Sequence, residues 1–192
     1  MRFFAVLFLC LCVLTPGALF GQGQTYIEGF LGSTSLDIPG ANVDDETAFG
    51  LWGGYAFSEN FAVEIGYTNY GESEFSDSFF DGFENVTEFT SDKISSFNIG
   101  IKGVVPLDGG IFITGKVGMA FWEFERQFSV IADSDGALLD IGKATLDDED
   151  LYFGLGASYM ISDTAYATLD YLTVEFGDLD VGVISFGIGT VF

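Results

Sequence analysis

From about residue 24 to its end the chain alternates. Ile184, Phe186, Ile188, Thr190 and Phe192 share one strand face, and Val183, Ser185, Gly187, Gly189 and Val191 share the other. The stretch 61–68 repeats the pattern, with Phe61, Val63, Ile65 and Tyr67 opposite Ala62, Glu64, Gly66 and Thr68. In 111–120, Ile111, Ile113, Val117 and Met119 lie opposite Thr114, Lys116, Gly118 and Ala120. A period of two is the mark of a strand, and helical spacing fits none of these segments. Eight such segments are predicted, near 24–35, 47–58, 60–73, 91–105, 110–125, 147–161, 164–176 and 181–192.

The connections alternate as well. Those at 58–60, 106–109 and 162–163 are short, whereas 36–46, 74–90 and 126–146 are long and polar, with a shorter one near 177–180. Short turns at one end and long loops at the other predict an all-β, eight-stranded, antiparallel up-and-down transmembrane barrel with its long loops outside the cell. An even strand count closes the sheet and removes its edges. A soluble lipid-carrying barrel also has eight strands. It would place the Gly, Ala, Ser and Thr face in water, where those residues make a poor coat; they fill a narrow lumen well. Aromatic placement favours the membrane. Tyr55, Phe57, Phe61, Tyr159 and Phe192 form an outward girdle beside the short turns, and Phe49, Tyr67, Phe121, Phe153 and Tyr171 a second belt toward the long loops.

The first residues read as a signal peptide. Arg2 precedes an apolar core from Phe3 to Leu14, which Pro16 and Gly17 interrupt. That core is shorter than the about 20 residues a membrane-spanning helix needs. The expected division is 1–23 as a cleaved signal and 24–192 as the barrel. Cys10 and Cys12 leave with the signal, so the mature chain is expected to be free of cysteine and disulfides.

Composition then narrows the chemistry. The chain carries 29 acidic and 6 basic residues, a net charge of −23, which repels nucleic acid. Clustered carboxylates on long loops either keep the surface solvated or hold divalent cations. The segment Asp133-Ser134-Asp135-Gly136 opens like a calcium loop, but later acidic residues miss the required spacing. The chain has no histidine, so no imidazole base is present for a serine triad, and no imidazole or mature thiolate for a metal. No enzyme activity and no cofactor are expected.

Two lysines stand out. Lys102 and Lys116 sit mid-strand on the small-residue face, where facing lipid would cost roughly 2–4 kcal/mol. They are expected inside, with Glu64, Asp170 and Glu28 as counter-charges. Two readings follow: buried pairs that plug the lumen, or a narrow aqueous path tuned by those pairs. Outside, the stretch 74–90 interleaves Phe75, Phe79, Phe80, Phe83 and Phe89 with acids. Such aromatics either extend the hairpin above the membrane and pack on each other or form a contact surface, with Phe79, Phe80 and Phe83 the contact candidates.

The stretches Gly53-Gly54-Tyr55-Ala56-Phe57 and Glu64-Ile65-Gly66-Tyr67 resemble the second hairpin of the transmembrane domain of the outer membrane protein A family. Ile101-Lys102-Gly103, Gly115-Lys116-Val117-Gly118, Tyr159-Met160-Ile161 and Leu169-Asp170-Tyr171 are similar in the same way. The resemblance implies a bacterial outer-membrane location and insertion by the barrel assembly machinery, which reads the last strand at Phe186, Ile188 and Phe192. Thr190 departs from the aromatic often found there. It also implies interior charges that pair and obstruct the channel; Phe30 and Thr168 stand where the family has basic residues, thinning the network. No counterpart of the family's peptidoglycan-binding domain is expected, so wall anchoring is not carried over. The expected role is structural and surface-facing in the envelope, among lipid and lipopolysaccharide. A small low-conductance porin and an adhesin acting through acidic aromatic loops are the alternatives.

Overall fold

The computed structural model describes residues 21–37, 46–80, 85–132, 134, 136–176 and 179–192. Residues 1–20 of the expected signal 1–23, most of the first long connection, Phe83, Asp133 and Asp135 lie outside that range, so the cleavage site and the calcium-loop opening are not addressed by it. Eight strands close into one barrel in sequence order. They are β1 (Thr25–Asp37), β2 (Glu46–Ala56), β3 (Phe61–Phe80), β4 (Asn85–Pro106), β5 (Ile111–Ala132), β6 (Leu138–Met160), β7 (Ala165–Phe176) and β8 (Leu179–Val191). Closure runs through β1 and β8, paired antiparallel from Tyr26 opposite Val191 to Asp37 opposite Asp180. A single 3-10 turn, Asp108–Gly110, joins β4 to β5. Gly109 and Gly110 there both hold φ of 78°, which favours glycine.

The alternation sorts the side chains inside out. Leu31, Leu51, Leu155, Leu169 and Phe186 stand more than half exposed on the outer wall, while Tyr26, Tyr152, Tyr166, Glu28, Glu64 and Lys102 are buried inside. A water-soluble barrel reverses that order. An outer band of aliphatic residues suits hydrocarbon, which solvates what water would not. Both aromatic girdles face outward at their expected levels, and Phe97 extends the upper one between Tyr67 and Phe121.

Inside, large and small residues interdigitate. A β-carbon at Gly54 would strike the Tyr26 ring, one at Gly66 the Trp52 ring, one at Gly100 the Tyr152 hydroxyl, one at Gly118 the Tyr152 ring, and one at Gly189 the Tyr166 ring. The glycines are the space the aromatic rings occupy. The result is three layers. Tyr26, Phe112, Val104, Tyr166 and Val191 fill the turn end. Phe30, Trp52, Tyr70, Tyr152, Val174 and Phe176 fill the loop end. The charged residues lie between.

One expectation needs correction. The stretches 74–90 and 126–146, expected as polar loops, are largely strand. β3 to β6 span 20, 22, 22 and 23 residues, against 13, 11, 12 and 13 for β1, β2, β7 and β8. Four strands therefore rise past the ring as an extension about 30 Å long, at ~3.4 Å per residue. A bulge marks where it leaves: the β3–β4 register shifts between Asn69 and Glu72, with Gly71 at φ 104° and its N–H donating to Asn69 Oδ1 at 3.0 Å. Bulges bend and re-aim a strand at a barrel rim. Cross-strand polar pairs replace the missing lipid contacts above it. Ser78 and Thr87 hydroxyls meet at 2.9 Å, and Arg126 grips Asp92 through two bonds of 2.7 and 2.6 Å. Of the two readings of the aromatic stretch, the extended hairpin is what forms, and its exposed rings leave the contact reading open.

Candidate functional site

The lumen charges come from five strands. Glu28 (β1), Glu64 (β3), Lys102 (β4), Lys116 (β5) and Asp170 (β7) all point inward and are buried. Glu28 is the hub. It receives Lys102 Nζ at 3.1 Å, Lys116 Nζ at 3.4 Å and the Tyr166 hydroxyl at 3.0 Å. Lys116 also reaches Asp170 at 3.8 Å, and Asp170 accepts from Thr168 at 2.8 Å and Thr114 at 3.4 Å. Glu64, expected as a main partner of the lysines, is instead held by the hydroxyls of Tyr26 at 2.8 Å and Tyr152 at 3.4 Å. The ion pairs run through Glu28 because β1 lies across the lumen from β4 and β5.

Aromatic rings complete the enclosure. Lys102 Nζ lies 5.1 Å from the Tyr26 ring centre and 5.8 Å from that of Tyr166, and Lys116 Nζ lies 4.9 Å from the Trp52 ring. Ring faces attract cations, more strongly when water is excluded. The space left beside Glu28, Trp52, Lys116 and Asp170 is about 10 Å3. That is no more than about one water-sized probe. Sequence reasoning missed Tyr26, Tyr152, Tyr166 and Trp52 as parts of this network. The signal was there: each is a large ring on the small-residue face, with a glycine beside it on a neighbouring strand.

Above the membrane the extension carries the remaining basic residues apart from Arg2, namely Lys93, Arg126 and Lys143. Arg126 lies on the axis-facing side with Asp92, whose hydrogen bonds raise its pKa and keep it charged. Lys93 and Lys143 lie on the opposite side, flanking Glu125. Lys143 bonds Glu125 at 2.5 Å, and this bond, with a second from Gln127, holds the Glu125 carboxyl below its ordinary value of 4.5. A shallow groove of about 550 Å3 crosses the four strands, walled in part by Phe89, Gln127, Ile141 and Lys143. Of the contact candidates, Phe80 is exposed; the Phe79 side chain and Phe83 lie outside the description. Among the described residues, no three carboxylates converge as cation ligands. At the C-terminal end, Phe186, Ile188 and Phe192 face outward. Phe192 exchanges backbone bonds of 2.8 and 3.4 Å with Thr25, completing the closure.

A closed ring of eight strands with an apolar outer wall and a packed, charged interior defines a transmembrane β-barrel. The class narrows further by comparison: the family described as outer membrane protein beta-barrel domain matches residues 3–192, and the chain belongs to it. Its place is the bacterial outer membrane. A curated relative, an uncharacterized protein of Haemophilus influenzae, is 38% identical over 66 residues. That match spans 33% of this chain and 37% of the relative. Among solved structures, Ail, the attachment invasion locus protein of Yersinia pestis, superposes with a TM-score of 0.60 at 16% identity, over 89% of this chain and 99% of that one. Neisserial surface protein A superposes with a TM-score of 0.58 at 12% identity, over 88% and 99%. At these identities the likeness is one of fold.

Proposed function

We propose that this protein is a closed barrel with a structural and surface-facing role in the envelope, its lumen plugged by the Glu28-centred ion pairs. The observation that carries this reading is the contrast along one axis: a space of only about 10 Å3 beside the charges of the lumen, and four strands raised beyond them. Two apolar layers flank the charges, so an ion crossing the barrel would have to displace rings as well as salt bridges. The outward row Phe186, Ile188 and Phe192 is the surface the assembly machinery would read. Lipopolysaccharide, bridged by divalent cations to acidic residues of the extension, is the natural neighbour of a sheet at that height.

The test is current across a planar bilayer holding the refolded mature barrel. The unmutated protein should be silent. Lys116→Ala, which leaves Asp170 and one oxygen of Glu28 without their cation, should leak or unfold more readily. Discrete, steady openings in the unmutated barrel would sink the plug and make the protein a small porin. The surface role is tested on cells: Phe80→Ser with Phe89→Ser should reduce adhesion while leaving the barrel folded, and undiminished adhesion would count against it.

A further inference from the structure

The extension ends in an open strand edge. β6 pairs with β5 along nearly its whole length, from Leu138 opposite Ile131 to Tyr159 opposite Ile111. Its pairing with β7 begins only at Tyr152 opposite Val174. Between Leu138 and Glu149 no described strand pairs with its outer side. The direction of the backbone groups follows from the turn below. Ile161 N–H donates to Ala165 O at 2.8 Å, toward β7. Backbone direction alternates, and the β5–β6 register runs without a shift from Tyr159 back to Asp140. Counting back in twos, the N–H and C=O of Ile141, Lys143, Thr145, Asp147 and Glu149 all face the open edge. Two local bonds agree: Ile141 N–H is taken by the Asp140 carboxylate at 2.8 Å and Glu149 N–H by Asp148 at 2.9 Å. Among the described residues, a neighbouring side chain is what takes each of those two donors.

Soluble edges are normally guarded by proline, free lysine or mid-strand bulges. This edge has no proline, and its lysine, Lys143, is tied to Glu125. Its shift in pairing sits at the tip, between Val130 and Ile131. It also shows a large exposed aliphatic on each face, Ile141 at 71% on the outer side and Leu146 at 62% on the axis side. Near the membrane the same strand gathers Asp147, Asp148, Glu149 and Asp150.

We infer that the Ile141–Glu149 edge of β6 is a docking strand for an extended, basic polypeptide segment of an extracellular partner, which adds to the sheet as a further strand. Backbone hydrogen bonds to the five outward-facing residues hold it, apolar side chains cover Ile141 and Leu146, and lysines or arginines meet the acids near the membrane. A second copy of this chain is the wrong occupant, because it would set one acidic edge against another. This inference rests on the surface-facing role proposed above and names the class of partner.

The test uses the full refolded barrel in lipid nanodiscs and a short synthetic peptide of consecutive valines, which fall on both strand faces, followed by lysines. A second peptide of the same sequence carries methyl groups on the backbone nitrogens of alternate residues, which keeps its charge but blocks strand pairing. The plain peptide should bind and slow hydrogen exchange at Lys143, Thr145 and Asp147, and the methylated one should bind at least about tenfold more weakly. Thr145→Pro removes an N–H that faces the edge and leaves the β5 ladder intact, so the barrel should fold and lose the same factor. Asp147→Lys with Asp148→Lys is the second variant and should weaken binding even if the proline disturbs the extension. Glu74→Lys, on the far strand, should not. Equal binding of both peptides would overturn the docking strand, as would no binding of either. A dimer that forms without peptide and vanishes in Thr145→Pro would overturn the basic occupant. Because the purified barrel is used, these outcomes are separate from the adhesion and conductance results.

Discussion

The ring in the membrane and the extension above it share four strands, β3 to β6, yet they are held together by different forces. In the ring, each strand has a neighbour on both sides, an apolar wall in lipid and a filled interior. In the extension, among the described residues, no strand pairs with the outer side of β6 from Leu138 to Glu149, most side chains meet water, and the links include polar pairs such as Arg126 with Asp92 and Lys143 with Glu125. Buried charges in the ring are costly to leave unpaired, whereas exposed pairs in the extension contribute little. A single strand can therefore be rigid for half its length and compliant for the other half, with the Gly71 bulge on β3 marking the passage.

The sharpest way to break that contrast is to remove the hub. Glu28→Ala strips Lys102 and Lys116 of their shared carboxylate and should cost the ring about 3–5 kcal/mol. Urea unfolding followed by heat-modifiable electrophoresis measures it; a midpoint within error of the unmutated barrel would mean the lysines find other partners. Next is overpacking. Gly66→Ala pushes a methyl group into the Trp52 ring and should cost about 1–3 kcal/mol, read by the same assay, with Trp fluorescence reporting the displaced ring. An unshifted spectrum would show that the lumen has slack.

The same tests applied to the extension should give small, local answers. Arg126→Ala removes a bidentate but half-exposed pair, worth up to ~1 kcal/mol. Hydrogen exchange should speed up in 85–93 and 124–132 with no change in the ring; a shifted global midpoint would show the two regions to be one unit. Smallest of all is the effect of pH on Glu125. Its folded pKa is depressed by Lys143, so its stabilisation is fully present above about the ordinary 4.5 and is lost as pH falls through the lower folded value. Protection of the extension's amides, corrected for the intrinsic slowing of exchange in acid, should therefore fall on acidification before that of the ring, and Lys143→Ala should weaken that dependence, Gln127 keeping part of it.

Much of this was legible without coordinates. The alternation around Phe186 and Val63 gave the strands, because lipid on one side and packed side chains on the other demand a period of two. Mid-strand Lys102 and Lys116 had to point inward for the same reason. The extension was not legible, since stretches such as Phe75 to Thr90 alternate among Ser, Thr, Asp and Phe without a lipid face to sharpen the contrast. Polar alternation reads as loop when water bathes both sides.

The sequence by itself determined the class of fold, the number of strands, the outer girdles and which charges are interior, since each follows from the side of the wall a residue can tolerate. Tertiary structure alone decided the partners. Glu28 meets Lys102 and Lys116 across the lumen because closing the ring at β1 and β8 sets strands distant in sequence face to face. Glu64 goes to Tyr26 and Tyr152 for the same reason. Strand register also left β6 without a described strand partner on one side above Tyr152, because β7 ends at Phe176.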